Sequence, residues 1–177
     1  MITKYVDFTA VYLYLGLLNS KAHITARKDI YHMQSQLAFS DVVNVRFRDL
    51  DAQGHLYFAN YLVYGDEVLG AYMEELGLNI MDPLIAPCLI FTVNIHCDYL
   101  NEIGGNSVVR VAAGYSRLGT SSADAVFELY NNADGVLLAK GGVTQVFVDP
   151  TTRKSIPIPS FYKANILERQ PQLAAAI

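Results

Sequence analysis

From Asp41 to Arg48 apolar and polar residues take turns: Val43, Val45 and Phe47 on one side, Asn44, Arg46 and Arg48 on the other. Successive side chains leave opposite faces of a strand, so this period of two predicts a half-buried strand. After the loop 49–55 the period changes. Between Asn60 and Leu76, residues Tyr61, Leu62, Val68, Leu69, Tyr72, Met73 and Leu76 fall on one broad arc at 100° per residue, with Asp66, Glu67 and Glu74 opposite. That is an amphipathic helix, with Asn60 as N-cap and Gly77 as the left-handed residue that ends it. Gly65 lies within the apolar arc, and close approach of the helix to a sheet explains a glycine there. Strand alternation then returns. Phe91, Val93, Ile95, Cys97 and Tyr99 share a phase, followed by strands over 108–116, 123–130 and 136–148. The run Asn131-Asn132-Ala133-Asp134-Gly135 has hairpin chemistry, and Asp149-Pro150 stops the last strand.

One strand, one long helix and four closely spaced strands make an α+β chain. The mostly antiparallel strands supply a sheet face for the helix's apolar arc, so a curved five-stranded sheet wrapped around one central helix is expected. Such a sheet has open edges, which invite a second copy of the chain.

At 177 residues, 52 % of them apolar and 17 % charged, the chain can bury one substantial core. A net charge of −4 gives no basic face for nucleic acid. Cys88 and Cys97 form no CxxC pair and stand in no metal-ligand cluster, so two reduced, buried thiols and a cytoplasmic protein are expected. His96 next to Cys97 does not make a catalytic pair, because neighbours on a strand face opposite ways. Residues Phe8 to Leu18 are apolar but too few for a membrane span of about 20, so no stable membrane insertion is expected. Met33 makes a natural start. Residues 1–32 read as an appended extension, residues 1–40 lie before the domain at 41–160, and 161–177 form a tail with helical character.

The chemistry concentrates in the loop. Asp51 follows a strand and precedes a helix, whose first N–H groups are free and carry partial positive charge. A carboxylate beside such donors suits acyl transfer: one attacks a carbonyl or activates water, the other stabilises the oxyanion. Taken alone, the position is equally that of a capping aspartate.

The pattern VRFxDxDxxGHxxxxNYLxxxxE over residues 45–67 resembles the signature of the 4-hydroxybenzoyl-CoA thioesterase family and its acyl-CoA relatives, which have the hotdog fold. Tyr99, Gly119-Thr120-Ser121-Ser122, Val146 to Asp149 and Ile156-Pro157 are also similar, so the likeness covers about 41–159. The resemblance implies hydrolysis of an acyl-CoA thioester, no cofactor, and a homodimer or homotetramer with the active site at the subunit interface. Asp51 matches the catalytic carboxylate, as nucleophile or general base. The Phe58 backbone N–H matches the group that polarises the thioester carbonyl. Tyr57, Asn60 and Tyr61 match positions near the acyl pocket, and Ser121 and Ser122 match a pair that lines the pantetheine channel. His55 either orients Asp51 or is a satisfied loop histidine. Asp49 is expected to bind loop N–H groups, and Glu67 to face solvent or a subunit contact. Arg110 and Arg117 read as strand-face charges or phosphate contacts.

Hydrolysis of an acyl-carrier-protein thioester and non-catalytic acyl-CoA binding are the alternatives. A hydratase is disfavoured, because the aspartate–histidine spacings differ from that motif.

Overall fold

The computed structural model describes residues 36–79, 82 and 85–176. The apolar stretch at 8–18, Met33 and the expected extension over 1–32 lie outside the described residues. Five strands form one sheet: β1 (Phe39–Asn44), β2 (Leu89–Tyr99), β3 (Val108–Leu118), β4 (Ser122–Asn131) and β5 (Leu137–Val148). Their order is β1-β3-β4-β5-β2, and every pairing is antiparallel. Helix α1 (Phe58–Glu75) crosses the sheet, and helix α2 (Ser160–Arg169) follows β5. This is the expected sheet wrapped around a helix.

The expected apolar arc is the buried face of α1: Tyr61, Val68, Leu69, Tyr72, Met73 and Leu76 are all buried, joined by Tyr64. Gly65 is explained by Phe127 on β4. A methyl group at Gly65 would stand 2.7 Å from the Phe127 Cγ, so the helix rests directly on that ring. Phe127 in turn fills the space above Gly141 on β5, where a Cβ would lie 2.4 Å from its Cζ. Two glycines on different elements thus accommodate one buried aromatic ring between helix and sheet.

Three expectations need correction. The first strand stops at Asn44, and Phe47–Asp49 form a turn of 3-10 helix. Val45 is buried as expected, but Phe47 is 93 % exposed. The cause is Asp49, whose Oδ2 accepts the Arg46 N–H at 2.8 Å and bends the chain where alternation would have continued it. The helix begins at Phe58 rather than after Asn60, so Asn60 is not its N-cap. Finally, β2 carries a bulge between Thr92 and Asn94. Thr92 pairs with Gln145 and Ile95 with Val143, so the extra residue reverses the phase. Phe91 therefore faces away from Ile95, Cys97 and Tyr99, and lies under the Arg153 guanidinium, 5.0 Å from its ring centroid.

The core continues into the C-terminal segment, with Tyr162, Ile166 and Leu173 buried. The Tyr162 and Tyr115 hydroxyls meet at 2.8 Å. Where β1 no longer covers β3, the side chain of Gln170 does. Its Oε1 accepts the Tyr115 N–H and its Nε2 donates to the Tyr115 carbonyl, both at 2.8 Å. The amide thus occupies the ladder position of a strand residue. The Tyr72 hydroxyl also donates to Gln170 Oε1, at 3.2 Å. Burial pushes the Tyr72 phenol up to about 12, so it remains a donor at neutral pH.

Candidate active site

The loop between β1 and α1 is built on two aspartates. Leu50 and Leu56 form an antiparallel bridge, and the Asp51 N–H donates to the His55 carbonyl at 2.8 Å. Gly54, at φ +83°, makes the tight return that lets its N–H reach the Asp51 carbonyl at 3.1 Å. Asp51 Oδ1 accepts the Gln53 N–H at 2.8 Å and the His55 N–H at 3.2 Å. Its Oδ2 takes no hydrogen bond among the described residues. The carboxylate is therefore oriented by its own loop while one oxygen is left for other work.

Asp49 ties this loop to the helix. Its main-chain carbonyl accepts the Tyr57 N–H at 2.9 Å and the Asn60 Nδ2 at 2.8 Å. Its Oδ2 accepts both the Arg46 N–H and the Tyr64 hydroxyl, the latter at 2.9 Å. Asp49 thus binds a loop N–H as expected. Burial pushes its carboxyl up, but the Arg46 N–H, the Tyr64 hydroxyl and the charges of Arg46 and Arg48 outweigh this and hold it below the usual carboxylate value.

At the start of α1, Tyr57 occupies the cap position and its carbonyl accepts the Asn60 N–H at 2.8 Å. The N–H groups of Phe58 and Ala59 have no partner among the described residues. Beside them opens a cleft of about 420 Å³, lined by Asp51, Tyr57, Phe58, Tyr61, Tyr99 and the segment that follows β2. That volume is within the ordinary range for small-molecule sites, about 300–1,000 Å³. Tyr99 stands edge-on to Tyr61 at 5.4 Å and to Phe58 at 6.5 Å, and Tyr57 tilts against Phe58 at 4.6 Å. The Tyr61 hydroxyl donates to the Asn101 carbonyl at 3.3 Å, and burial raises its pKa. The cleft combines a carboxylate, the helix start at Phe58 and an aromatic wall.

The family model of the thioesterase-like superfamily matches residues 45–166. The chain belongs to the thioesterase-like superfamily. A 1,4-dihydroxy-2-naphthoyl-CoA hydrolase from Nostoc punctiforme is 25 % identical over 124 residues, covering 70 % of this chain and 82 % of the relative. Among solved structures, a 1,4-dihydroxy-2-naphthoyl-CoA thioesterase from Synechocystis superposes with a TM-score of 0.68 at 18 % identity, over 73 % of this chain and 96 % of that one. A Thermus thermophilus thioesterase solved with coenzyme A and zinc also gives 0.68, at 24 % identity, over 78 % and 98 %. These structures share the hotdog fold. The protein is thus a hotdog thioesterase, an enzyme that hydrolyses thioesters.

Within this thioesterase the expected site residues divide into two groups. Asp51, Tyr57, Phe58 and Tyr61 line one cleft. Asn60 stands at the same helix start but spends its amide on Asp49. His55 is joined to Asp51 through its backbone N–H, while its ring Nδ1 lies 3.5 Å from Glu102 Oε2, an ion pair when the imidazole is protonated.

Ser121 and Ser122 are elsewhere. Ser122 pairs with Val146 on β5, whereas Tyr99 at the cleft pairs with Ala139. Those rows are seven residues apart on one strand, about 24 Å at about 3.4 Å per residue. One chain of the thioesterase therefore does not bring the serines to Asp51. Arg110 lies over the Tyr130 ring at 4.4 Å, and Arg117 pairs with Asp124 at 2.6 Å, so both have strand-face partners. Glu67 is exposed on α1. Cys88 is buried and Cys97 partly so, both as free thiols, and burial raises the pKa of each. Cys97 pairs with Gly141 on the helix side of the sheet, and His96 lies over Gly142 on the other face. Among the described residues no cluster of His, Cys, Asp or Glu is arranged to hold a metal, and no helix is long and apolar enough to cross a membrane.

Sequence reasoning did not assign the far wall of the cleft, Tyr99 to Glu102. The signal available was the phase of β2. Tyr99 shares the inner face with Cys97 and Ile95, so the residues after it leave the sheet beside α1's first turn.

Proposed function

We propose that the chain hydrolyses an acyl-CoA thioester to a free carboxylic acid and CoA, with Asp51 as the reacting carboxylate and the Phe58 N–H holding the thioester carbonyl oxygen. The reading rests on one observation: Asp51 lines the same cleft as Phe58, whose N–H at the start of α1 is unpaired among the described residues. Negative charge that develops on the carbonyl oxygen is stabilised by the Phe58 amide and the positive end of α1. As a nucleophile, Asp51 adds to the carbonyl carbon and the C–S bond breaks. CoA leaves as thiolate, and water hydrolyses the mixed anhydride. As a general base, Asp51 takes a proton from water while the water oxygen adds to the carbon. The proton then passes to the departing sulfur. Where water attacks the Asp51 carbonyl of the anhydride, one turnover in heavy-oxygen water leaves label in the Asp51 side chain, which identifies the nucleophile; where it attacks the acyl carbon, trapping of the acyl-enzyme identifies it. The names of the relatives, which act on CoA esters of aromatic acids or were solved with CoA, support CoA as the carrier. Release of free CoA thiol from a panel of aromatic and aliphatic acyl-CoAs tests the reading. No release from any member overturns it.

The cleft is completed, in this reading, by a second copy of the chain. Strand β2 is an edge eleven residues long, and Val93, Ile95 and Tyr99 are between 42 % and 61 % exposed on it. Antiparallel pairing of β2 with its copy continues the sheet and covers these residues. The two-fold axis lays the Leu89 end of one strand against the Tyr99 end of the other. Ser121 and Ser122 of the partner subunit then come to the end of the sheet that carries this chain's Asp51. Changing Val93 and Ile95 together to Lys is expected to give a monomer in light scattering and at least a tenfold loss of turnover. A variant that remains dimeric, or a fully active monomer, sinks this arrangement.

A further inference from the structure

We infer that Tyr64 is a positioning residue, whose hydroxyl, through Asp49, sets the spacing between the Asp51 carboxylate and the Phe58 amide. The inference rests on the thioesterase reading and adds to it a side chain that lies outside the cleft.

Both reacting groups hang from Asp49. Asp51 is two residues further along the chain. Phe58 directly follows Tyr57, whose N–H is held by the Asp49 carbonyl at 2.9 Å, while Asn60 Nδ2 reaches the same carbonyl at 2.8 Å. One backbone oxygen therefore joins the carboxylate-bearing loop to the helix start. Asp49 itself sits in a single turn of 3-10 helix that has no buried residue and in which Phe47 is almost wholly exposed. What reaches it from the core is Tyr64. This side chain is 4 % exposed, its hydroxyl donates to Asp49 Oδ2 at 2.9 Å, and the next residue, Gly65, seats α1 on Phe127. The chain of contact runs from the sheet through α1 to Tyr64, then to Asp49, and from Asp49 to both reacting groups. Burial is the largest influence on the phenol and, with the Asp49 charge, raises its pKa, so the hydroxyl stays a donor.

Hydrolysis requires the carboxylate and the amide to meet one thioester at once, and a displacement of about 1 Å can cost about a hundredfold in rate. Substrate binding uses the cleft, which Tyr64 does not line. Losing its hydroxyl is therefore expected to lower kcat and leave KM nearly unchanged.

The test is steady-state release of CoA thiol by wild type, Tyr64→Phe, Asp49→Asn, the double variant and Asp51→Asn, with melting temperatures for each. Tyr64→Phe removes one oxygen from a buried ring and keeps its shape. Its kcat is expected to fall about 10- to 50-fold, with KM within about threefold and the fold retained. The double variant is expected to lose no more than the worse single variant, as groups that act through one contact do. If wild type is active and Asp51→Asn inactive while Tyr64→Phe keeps kcat within twofold, the inference is overturned and the reading stands. Losses that multiply in the double variant, or kcat and KM that worsen together with melting temperature, also overturn it. A wild type that releases no thiol overturns the reading and the inference with it.

Discussion

Asp51→Asn is expected to lower kcat for acyl-CoA hydrolysis by about a thousandfold, within the range of about 10²–10⁴ for loss of a positioned proton-transfer group. That corresponds to about 4 kcal/mol of transition-state stabilisation. Asparagine suits the test because its side-chain oxygen can still accept the Gln53 and His55 N–H groups that bind Asp51 Oδ1. The loop keeps its turn, and only the charge and the free oxygen are lost. KM is expected to stay within a few-fold, since the aromatic wall of Tyr57, Phe58, Tyr61 and Tyr99 is untouched. Asp51→Ala removes the turn as well, and adds about 1 kcal/mol of instability to the same catalytic defect. Thiol-release kinetics with both variants, alongside their melting curves, separate the two effects. A loss of less than tenfold in either variant removes Asp51 from the chemistry.

The largest effect on stability is expected at Gly141. A methyl group there would stand 2.4 Å from the His96 carbonyl oxygen and 2.4 Å from the Phe127 Cζ. Neither neighbour can yield cheaply. The carbonyl belongs to the β2–β5 pairing, where His96 is the partner of Gly142 and Cys97 of Gly141, and the Phe127 ring is already pressed against α1 at Gly65. Overpacking a filled core costs about 1–3 kcal/mol and sometimes more, and this site has two clashes, so Gly141→Ala is expected to cost about 3 kcal/mol. At about 2–4 °C per kcal/mol for a chain of this size, the melting temperature should fall by about 6–12 °C. Gly65→Ala should cost less, because alanine returns about 1 kcal/mol of helix propensity. Differential scanning calorimetry checks both. A Gly141→Ala melting point within 2 °C of wild type would show that the ring can move after all.

Much of the fold could be read from periodicity, because the features concerned are local. The shift in period between Arg48 and Tyr61 marks a strand, a loop and a helix. Gly77, at φ +84°, ends the helix as a left-handed residue. The Asn131–Gly135 turn joins β4 to β5, with the Gly135 N–H on the Asn131 carbonyl.

The expectations that failed each depended on a contact that hydrophobic patterning does not encode. Phe47 continues the alternation of β1, yet a carboxylate two residues later captures the backbone and turns it outward. Phe91 and Ile95 are both odd-numbered and apolar, but one inserted residue near Val93 sends them to opposite faces. Asn60 has the chemistry of a cap and is used as a cross-loop donor. Gln170 satisfies the backbone of Tyr115 across 55 residues of sequence. The site shows the same division. The motif points to Asp51 and the helix start, whereas the Tyr64–Asp49 bond and the Tyr99–Glu102 wall depend on tertiary placement.

The sheet's two outer boundaries have different consequences for what the protein does at high concentration. On the β1 side the exposed edge is only six residues long, Asp41 turns its own carboxylate onto the Val42 N–H at 2.7 Å, and beyond Phe39 the Gln170 amide fills the bare stretch of β3. Short, charged and plugged, that margin is a poor template for further strands. If β2 pairs with its copy as proposed, the sheet has no comparable margin left among the described residues. Crowding or overexpression should therefore yield closed pairs rather than growing ribbons, and shortening the chain before Gln170 should create a second adhesive margin and a tendency to form fibres.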